Sequence, residues 1–458
     1  MKMRAMGIDI GTTTISVIVI DTETGASLGT RTIAHKGFID GHLPVSRVQD
    51  PEKLWKFTEE AVCELMEECG KVDSIGLTGQ MHGMLYVDAA GNAASPLYIW
   101  QDGCGNEKTA DGRTYAEVLR ETGGAASTGF GLVSHYYLQM NNMIPESAVK
   151  MVTVSDYMGM KLCGSADAVI ATDMAASWGC YDLEKKEFLV AELEKLGVET
   201  SYLPTLLKEH EIMGTTVGNV PNGIPVMVSL GDNQASVLGS VSDVCDTVLV
   251  NIGTGSQVSV GTENYIPCGG AIELRPCVEG TELLVGSGLC GGRSYAMLEQ
   301  FYREVTGSED ALYEEMEKQA REFKAANGSD AAWKIRTTFS GTRSNPEERG
   351  SIQNIGTGNF TPAAMTLGML KGVLEELHEM YVVMCDKKGS KPTKLVGSGN
   401  GIRRNTLLQE LAEEMFGMKL MIPVCKEEAA YGAALYSLVA AGIENSLQDV
   451  QKKIRYDI

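Results

Sequence analysis

Two spacings organise the apolar residues of this chain. Short β-branched or aliphatic runs broken by glycine read as buried strands; longer stretches with apolar residues three and four apart read as one-sided helices. Residues 5–33 predict an antiparallel meander, with turns at Gly11-Thr12-Thr13-Thr14 and Thr24-Gly25. Asp50-Pro51 predicts a helix start and Gly70 its end, because aspartate caps well and proline suits the first helical position. Leu54, Ala61, Val62, Leu65 and Met66 then share one buried face. Residues 74–79 read as a strand running into Gln80-Met81-His82-Gly83, and the run from Leu97 leads in the same way into Trp100-Gln101-Asp102-Gly103. Residues 183–213 alternate charged turns with leucine and predict a surface helix. Residues 226–230 are a valine-rich run that stops at Gly231, followed by Asp232 and a segment fit to begin a helix.

After residue 245 the opening pattern returns. Ile10-Gly11-Thr12 aligns with Ile252-Gly253-Thr254, 242 residues apart, and each Gly-Thr turn lies between two strand-like runs. A strand–turn–strand unit recurring at a domain-sized interval predicts paired domains, here 1–242 and 243–458, facing one cleft. The second half continues with helices over residues 292–304 and about 308–323. Thr361-Pro362 then starts a long helix to about Cys385, with Leu367, Leu370, Leu374, Leu377 and Tyr381 on one face. Residues 395–401 are a strand entering a glycine-rich loop. Asn405 and Gly417 bound the next helix. The last large helix opens at Glu427-Glu428, and its small residues suit close packing on a sheet.

Composition narrows the partners. The chain has 458 residues, 43% hydrophobic and 22% charged, with a formal net charge of -21. That charge disfavours nucleic acid and anionic membranes, which reward basic surfaces. No apolar run approaches a membrane span, and Asp9 interrupts any signal-like core near the start. Eleven scattered cysteines without a C-x-x-C pair predict reduced thiols in a cytoplasmic protein, not a disulfide frame or a zinc site.

Several stretches carry candidate chemistry. Asp232 is placed at the carboxyl edge of a strand, where open α/β sheets bind ligands; it either reacts there or caps the next helix. The Gly11–Thr14 turn offers backbone donors and hydroxyls for phosphate, with Asp9 ahead of it to recruit a hydrated cation; an ordinary hairpin is the alternative. His82 is either a binding-loop residue or a satisfied core histidine. Trp100 beside an amide and an acid suits a sugar, ring against apolar face and polar groups to hydroxyls. The glycines of residues 397–401 either admit a ligand closely or simply turn the chain. No G-x-x-x-x-G-K-[ST] occurs, which argues against a P-loop ATPase.

Taken in order, the Asp9–Thr14 turn, the segment 231–235, the turn 251–255, the loop 397–405 and the helix from Glu428 to Ala434 resemble the FGGY carbohydrate kinases of the actin/hexokinase-like ATPase superfamily. The resemblance implies an α/β fold of two actin/hexokinase-like (ribonuclease H-like) domains with a central cleft, sugar and base on the first and ATP on the second. It implies that Asp232 is the general base, that Asp9 holds Mg²⁺, and that Thr12, Thr13, Gly253 and Thr254 cradle phosphates. Gly399, Asn400 and Asn405 would lie near adenosine; Gln80, Met81, His82, Trp100, Asp102 and Asn233 would line the sugar pocket, Met81 and His82 acting through side chain or backbone. The expected reaction is ATP-dependent phosphorylation of a ketose primary hydroxyl. Gly79–Gly83 resembles the ketose-binding loop of kinases acting on xylulose and on sedoheptulose, and Trp100–Gly103, Thr128–Gly131 and Ala175–Gly179 resemble loops of those acting on sedoheptulose, with D-xylulose the alternative. Family members often carry arginine where this chain has Cys104. A non-catalytic, actin-like nucleotide-binding protein is the distant alternative. The expected assembly is a monomer or homodimer.

Overall fold

The computed structural model describes residues 3–40, 43–342, 345 and 347–457. The chain separates into two compact units, one of Met1–Ser242, Pro276–Glu279 and Glu427–Ile454, the other of Asp243–Arg275, Gly280–Lys426 and Arg455–Ile458. The last large helix therefore folds with the first unit, whereas the sequence reading assigned it to the domain 243–458.

In the first unit, β1 (Arg4–Ile10), β2 (Thr14–Asp21) and β3 (Ser27–Ala34) form the expected antiparallel meander. α1 (Pro51–Cys69) is capped by Asp50, which accepts from the N–H groups of Glu52 and Lys53, and it ends at Gly70. Its buried face, Leu54, Ala61, Val62 and Leu65, packs in one cluster with Ile8, Ile15 and Val17 of the meander. β4 (Ser74–Gly79) lies parallel to β1. Then come α2 (Gly131–Met140), α3 (Val154–Cys163), α4 (Thr172–Ser177), β5 (Ile212–Thr215), β6 (Pro225–Met227), β7 (Leu230–Gly231) and α5 (Asp232–Ser240). The sheet order is β5-β6-β4-β1-β2-β3, with β7 also on β4. Because β1, β6 and β7 all run parallel to β4, the residues following β1, β4 and β7 emerge at one carboxyl edge.

The helix Glu428–Ala440 lies against β1, β4 and α5. Glycine makes this contact possible. A Cβ on Gly7 would stand 1.8 Å from Ala430 O, and one on Gly76 1.9 Å from Ala433 O. Gly239 and Gly432 meet the opposing backbones, Glu428 O and Ala235 O, at 2.0 and 1.9 Å in the same sense.

The surface helix expected over residues 183–213 does not form. The segment holds a short helix, Val190–Lys195, the strand Glu187–Phe188 of a local hairpin with Tyr181–Asp182, and two strands, Thr205–Leu207 and Ile212–Thr215, that pair with remote strands Val169–Ala171 and β6. Long-range pairing overrides local spacing there. A second buried cluster, including Tyr86, Tyr98, Leu132, Tyr136, Ile170 and Trp178, lies beneath the loops that follow β4.

The second unit repeats the first sheet's core. β8 (Thr247–Ile252) and β9 (Ser256–Thr262) are antiparallel like β1 and β2. With β10 (Ile272–Pro276), β11 (Glu282–Gly288), β12 (Lys394–Ser398), β13 (Leu420–Pro423) and β14 (Tyr456–Asp457) the order is β10-β11-β9-β8-β12-β13-β14. β12 is parallel to β8 as β4 is to β1. α6 (Pro362–Lys388) starts at the Thr361 cap and buries Leu367, Leu370, Leu374, Leu377 and Tyr381 as expected. The charged helix before it spans Tyr313–Asn327, later than the expected 308–323. No helix among the described residues is long and apolar enough to cross a membrane.

Candidate active site

Asp232 occupies the first position of α5. The cap is Gly231, in extended backbone with φ -65° and ψ 146°, so Asp232 is not the residue that caps this helix. A carboxylate in the first turn of a nine-residue helix is favoured as an anion by the helix dipole. Asn233 follows it on the same turn.

Asp9 is the next-to-last residue of β1, opposite Ser16 on β2 and Thr78 on β4. Its side chain keeps some exposure, yet Oδ1 has neither solvent contact nor a hydrogen-bond partner. Burial, then the charges of Asp232 and of Glu427, push its pKa up to about 8. An orphaned carboxylate oxygen beside two further anionic side chains fits a divalent cation. No cluster of three ligating side chains exists among the described residues.

The Gly11–Thr14 turn is tied down from three sides. Gly11 N–H donates to Thr14 O at 2.9 Å, His35 Nε2 lies 3.1 Å from Gly11 O, and Gln49 Nε2 donates to Thr12 O at 2.7 Å. Since Gly37 N–H donates to His35 Nδ1, the ring proton sits on Nε2, and burial lowers the pKa of His35. Thr13 is exposed and Thr12 half-buried. Trp100 Nε1 donates to Thr12 Oγ1 at 2.9 Å while the Trp100 side chain stays 44% exposed. Its polar edge is thus fixed to the turn and its faces are available for an apolar sugar face.

Gln80 follows β4 but is only 2% exposed. Its Nε2 donates to Gln49 Oε1 at 2.9 Å and its Oε1 accepts from Thr12 Oγ1 at 3.5 Å. It braces the turn from inside. His82 has φ 73°, a conformation uncommon outside glycine, held by Ser177: His82 N–H donates to Ser177 Oγ at 3.1 Å and Nδ1 to Ser177 O at 2.7 Å. Its ring stacks on Phe130 at 4.5 Å and 7°. Met81 is buried, with its sulfur against Gly231.

Asp102 departs from expectation. It is 0% exposed, with Oδ2 accepting from Arg47 N–H and Oδ1 from Cys104 N–H, both at 3.1 Å. Both oxygens thus serve to fix the loop that carries Trp100. Cys104 is itself buried, its thiol 3.6 Å from Ser134 Oγ.

The remaining candidates lie on the second unit. Gly253 and Thr254 form the turn between β8 and β9; Thr254 is exposed, and a Cβ on Gly253 would meet nothing within 4 Å. Gly292 and Arg293, opening the helix Gly292–Thr306, donate from their N–H groups to the carbonyls of Gly253 and Thr254 at 2.9 and 3.0 Å. Gly399, at φ 83°, is explained by packing, since its Cβ would stand 2.6 Å from Ile252 O. Asn400 is exposed at the start of a short helix. Asn405 caps α7 (Thr406–Phe416), its Oδ1 accepting from Leu408 N–H at 2.8 Å, so its side-chain oxygen has a structural duty.

Sequence reasoning passed over Gln49, His35, Asp156, Asp173 and Glu427. Asp173 had a visible signal: it follows the strand Val169–Ala171 as Asp232 follows β7. The other four are placed by remote partners and left no local mark.

Two family profiles match the chain: FGGY family of carbohydrate kinases, N-terminal domain, over residues 4–239, and the C-terminal domain of the same family over residues 248–441. A mouse sedoheptulokinase is 27% identical, over 94% of this chain and 97% of the relative. Among solved structures, a xylulose kinase from Rhodospirillum rubrum superposes with a TM-score of 0.86 at 19% identity, covering 99% of this chain and 93% of that one. A Plasmodium falciparum glycerol kinase with ADP gives 0.84 at 17% identity, covering 100% and 93%.

Proposed function

The chain belongs to the FGGY family of carbohydrate kinases, and from that premise we propose that this ATP-dependent sugar kinase phosphorylates a primary hydroxyl of a ketose, sedoheptulose first. Asp232 takes the hydroxyl proton as the phosphoryl group arrives. The observation that carries this reading is the placement of Asp232: first in α5, not its cap, at the carboxyl edge it shares with Asp9. Trp100 stacks against the sugar, and His82, set by Ser177 and Phe130, lies along it. Asp9 holds hydrated Mg²⁺, whose charge offsets that of the transferring phosphates. The exposed Gly-Thr turns contribute N–H groups and hydroxyls to phosphate oxygens, and the loop of Gly399 and Asn400 flanks adenosine. Likeness to a sedoheptulokinase along nearly its whole length supports the choice of ketose.

The test is a panel of ketoses, aldoses and glycerol with ATP, read as ADP release, run on the wild type and on Asp232→Asn. The expected result is the highest kcat/KM with sedoheptulose. In Asp232→Asn, sugar and ATP binding are kept and turnover falls at least about a hundredfold, within the usual range for general-base catalysis. Preference for D-xylulose would replace the substrate and leave the chemistry. Turnover confined to aldoses or glycerol would overturn the ketose assignment, and near-normal turnover in Asp232→Asn would overturn the base.

A further inference from the structure

Two acids buried under the reacting edge have no part in that chemistry. Asp156, on α3, is 0% exposed; its Oδ1 accepts from Ser229 N–H at 3.0 Å and its Oδ2 from Thr153 Oγ1 at 2.7 Å. Asp173, on α4, is 5% exposed and its Oδ2 accepts from Gly231 N–H at 2.7 Å. No lysine or arginine pairs with either among the described residues. Burial accordingly drives the pKa of Asp156 up to about 6 and that of Asp173 to about 7. Burial without a cationic partner disfavours the charged form of both.

The location explains what is gained. Between β6, which ends at Met227, and β7, which starts at Leu230, the strand ladder is interrupted. Side chains and a remote carbonyl take over its hydrogen bonds: Val228 N–H donates to Glu211 O, Ser229 N–H to Asp156, and Gly231 N–H to Asp173. The last of these immediately precedes Asp232. That bond holds the backbone just ahead of Asp232, and misplacing a reacting group by about 1 Å can cost about a hundredfold in rate.

We propose that Asp173 is a positioning residue for Asp232: its side-chain oxygen accepts from the Gly231 N–H and fixes the turn from β7 into α5 that aims the base. This rests on the reading of Asp232 as the base. Asp173→Leu removes the acceptor at similar volume, with Asp173→Ala as the smaller alternative should leucine prevent folding. Asp173→Asn keeps an oxygen in the same place. The full-length variants are compared for kcat, for sugar affinity by calorimetry without nucleotide, and for melting temperature.

Removing the acceptor is expected to lower kcat at least about tenfold with sugar affinity within about threefold of wild type, and Asp173→Asn to stay within about fivefold in kcat. Three results would overturn the proposal: an acceptor-free variant with kcat within about threefold of wild type; Asp173→Asn falling as far as the acceptor-free variants; or lost sugar affinity and melting temperature with unchanged kcat, which marks a structural role alone. Asp232→Asn, assayed alongside, separates the layers. If it is inactive while Asp173→Leu is normal, only the positioning claim fails; if it is active, the base assignment fails first.

Discussion

An acid held away from water and from any cation ionises late, and Asp173 carries that property into the stability of the whole protein. Its carboxyl has a folded pKa of about 7, against an ordinary value near 3.8. The folded state therefore binds the proton more tightly than the unfolded chain. The resulting stabilisation is complete below the unfolded value and is lost as pH rises through the folded one. The titratable side chains that interact with it are Asp156, from α3, and Tyr436, from the helix Glu428–Ala440. The expected outcome is a melting temperature that falls from pH 5 to pH 8 in the wild type and falls less in Asp173→Asn; thermal melts at both values measure it, and parallel slopes would count against a buried, late-ionising Asp173. At this scale the sequence was legible in part. Asp9 stood out by its place ahead of the Gly-Thr turn, Asp232, Trp100 and Asp102 by following apolar runs. For Asp102 the same signature also belongs to an acid that folds inward to hold the N–H groups of Arg47 and Cys104.

Among the elements, the helix Glu428–Ala440 makes the closest approach. Its backbone touches β1, β4 and α5 at four glycines with no room for a methyl group. In Gly432→Ala the added carbon would sit 1.9 Å from Ala235 O, backbone that a side-chain rotation cannot relieve. Overpacking typically costs 1–3 kcal/mol and occasionally more; the expected loss is about 3 kcal/mol, a fall of about 3 to 5 °C in melting temperature, and an unchanged transition would mean the helices are further apart. Helix boundaries written into local chemistry were readable in advance: the Asp50-Pro51 and Thr361-Pro362 starts and the Asn405 cap all stand where their residue types put them. The segment 183–213 was not readable, since its two later strands exist through Val169–Ala171 and β6. The charge–leucine rhythm that suggested a helix says nothing of partners so far along the chain.

At the level of the whole molecule, sequence duplication has become structural duplication. β4-β1-β2-β3 and β12-β8-β9-β11 share one order and one set of directions. The paired Gly-Thr turns foretold that much. They did not foretell that the first unit draws on residues 276–279 and 427–454. A chain cut after Ser242 would leave Gly7 and Gly76 of the sheet and Gly239 of α5 without the helix that packs on them. Such a fragment is expected to aggregate or to lack a cooperative thermal transition, and fusing residues 427–454 to it is expected to restore one; a fragment that melts cooperatively without them would refute this.

The same interleaving sets a timetable for synthesis. Most of the first unit leaves the ribosome early, yet the helix that seals its sheet is translated only after residues 243–426. At about 5–20 residues per second, the nascent half waits on the order of 10 to 40 seconds with that surface open, a window in which holding chaperones would be of most use to it.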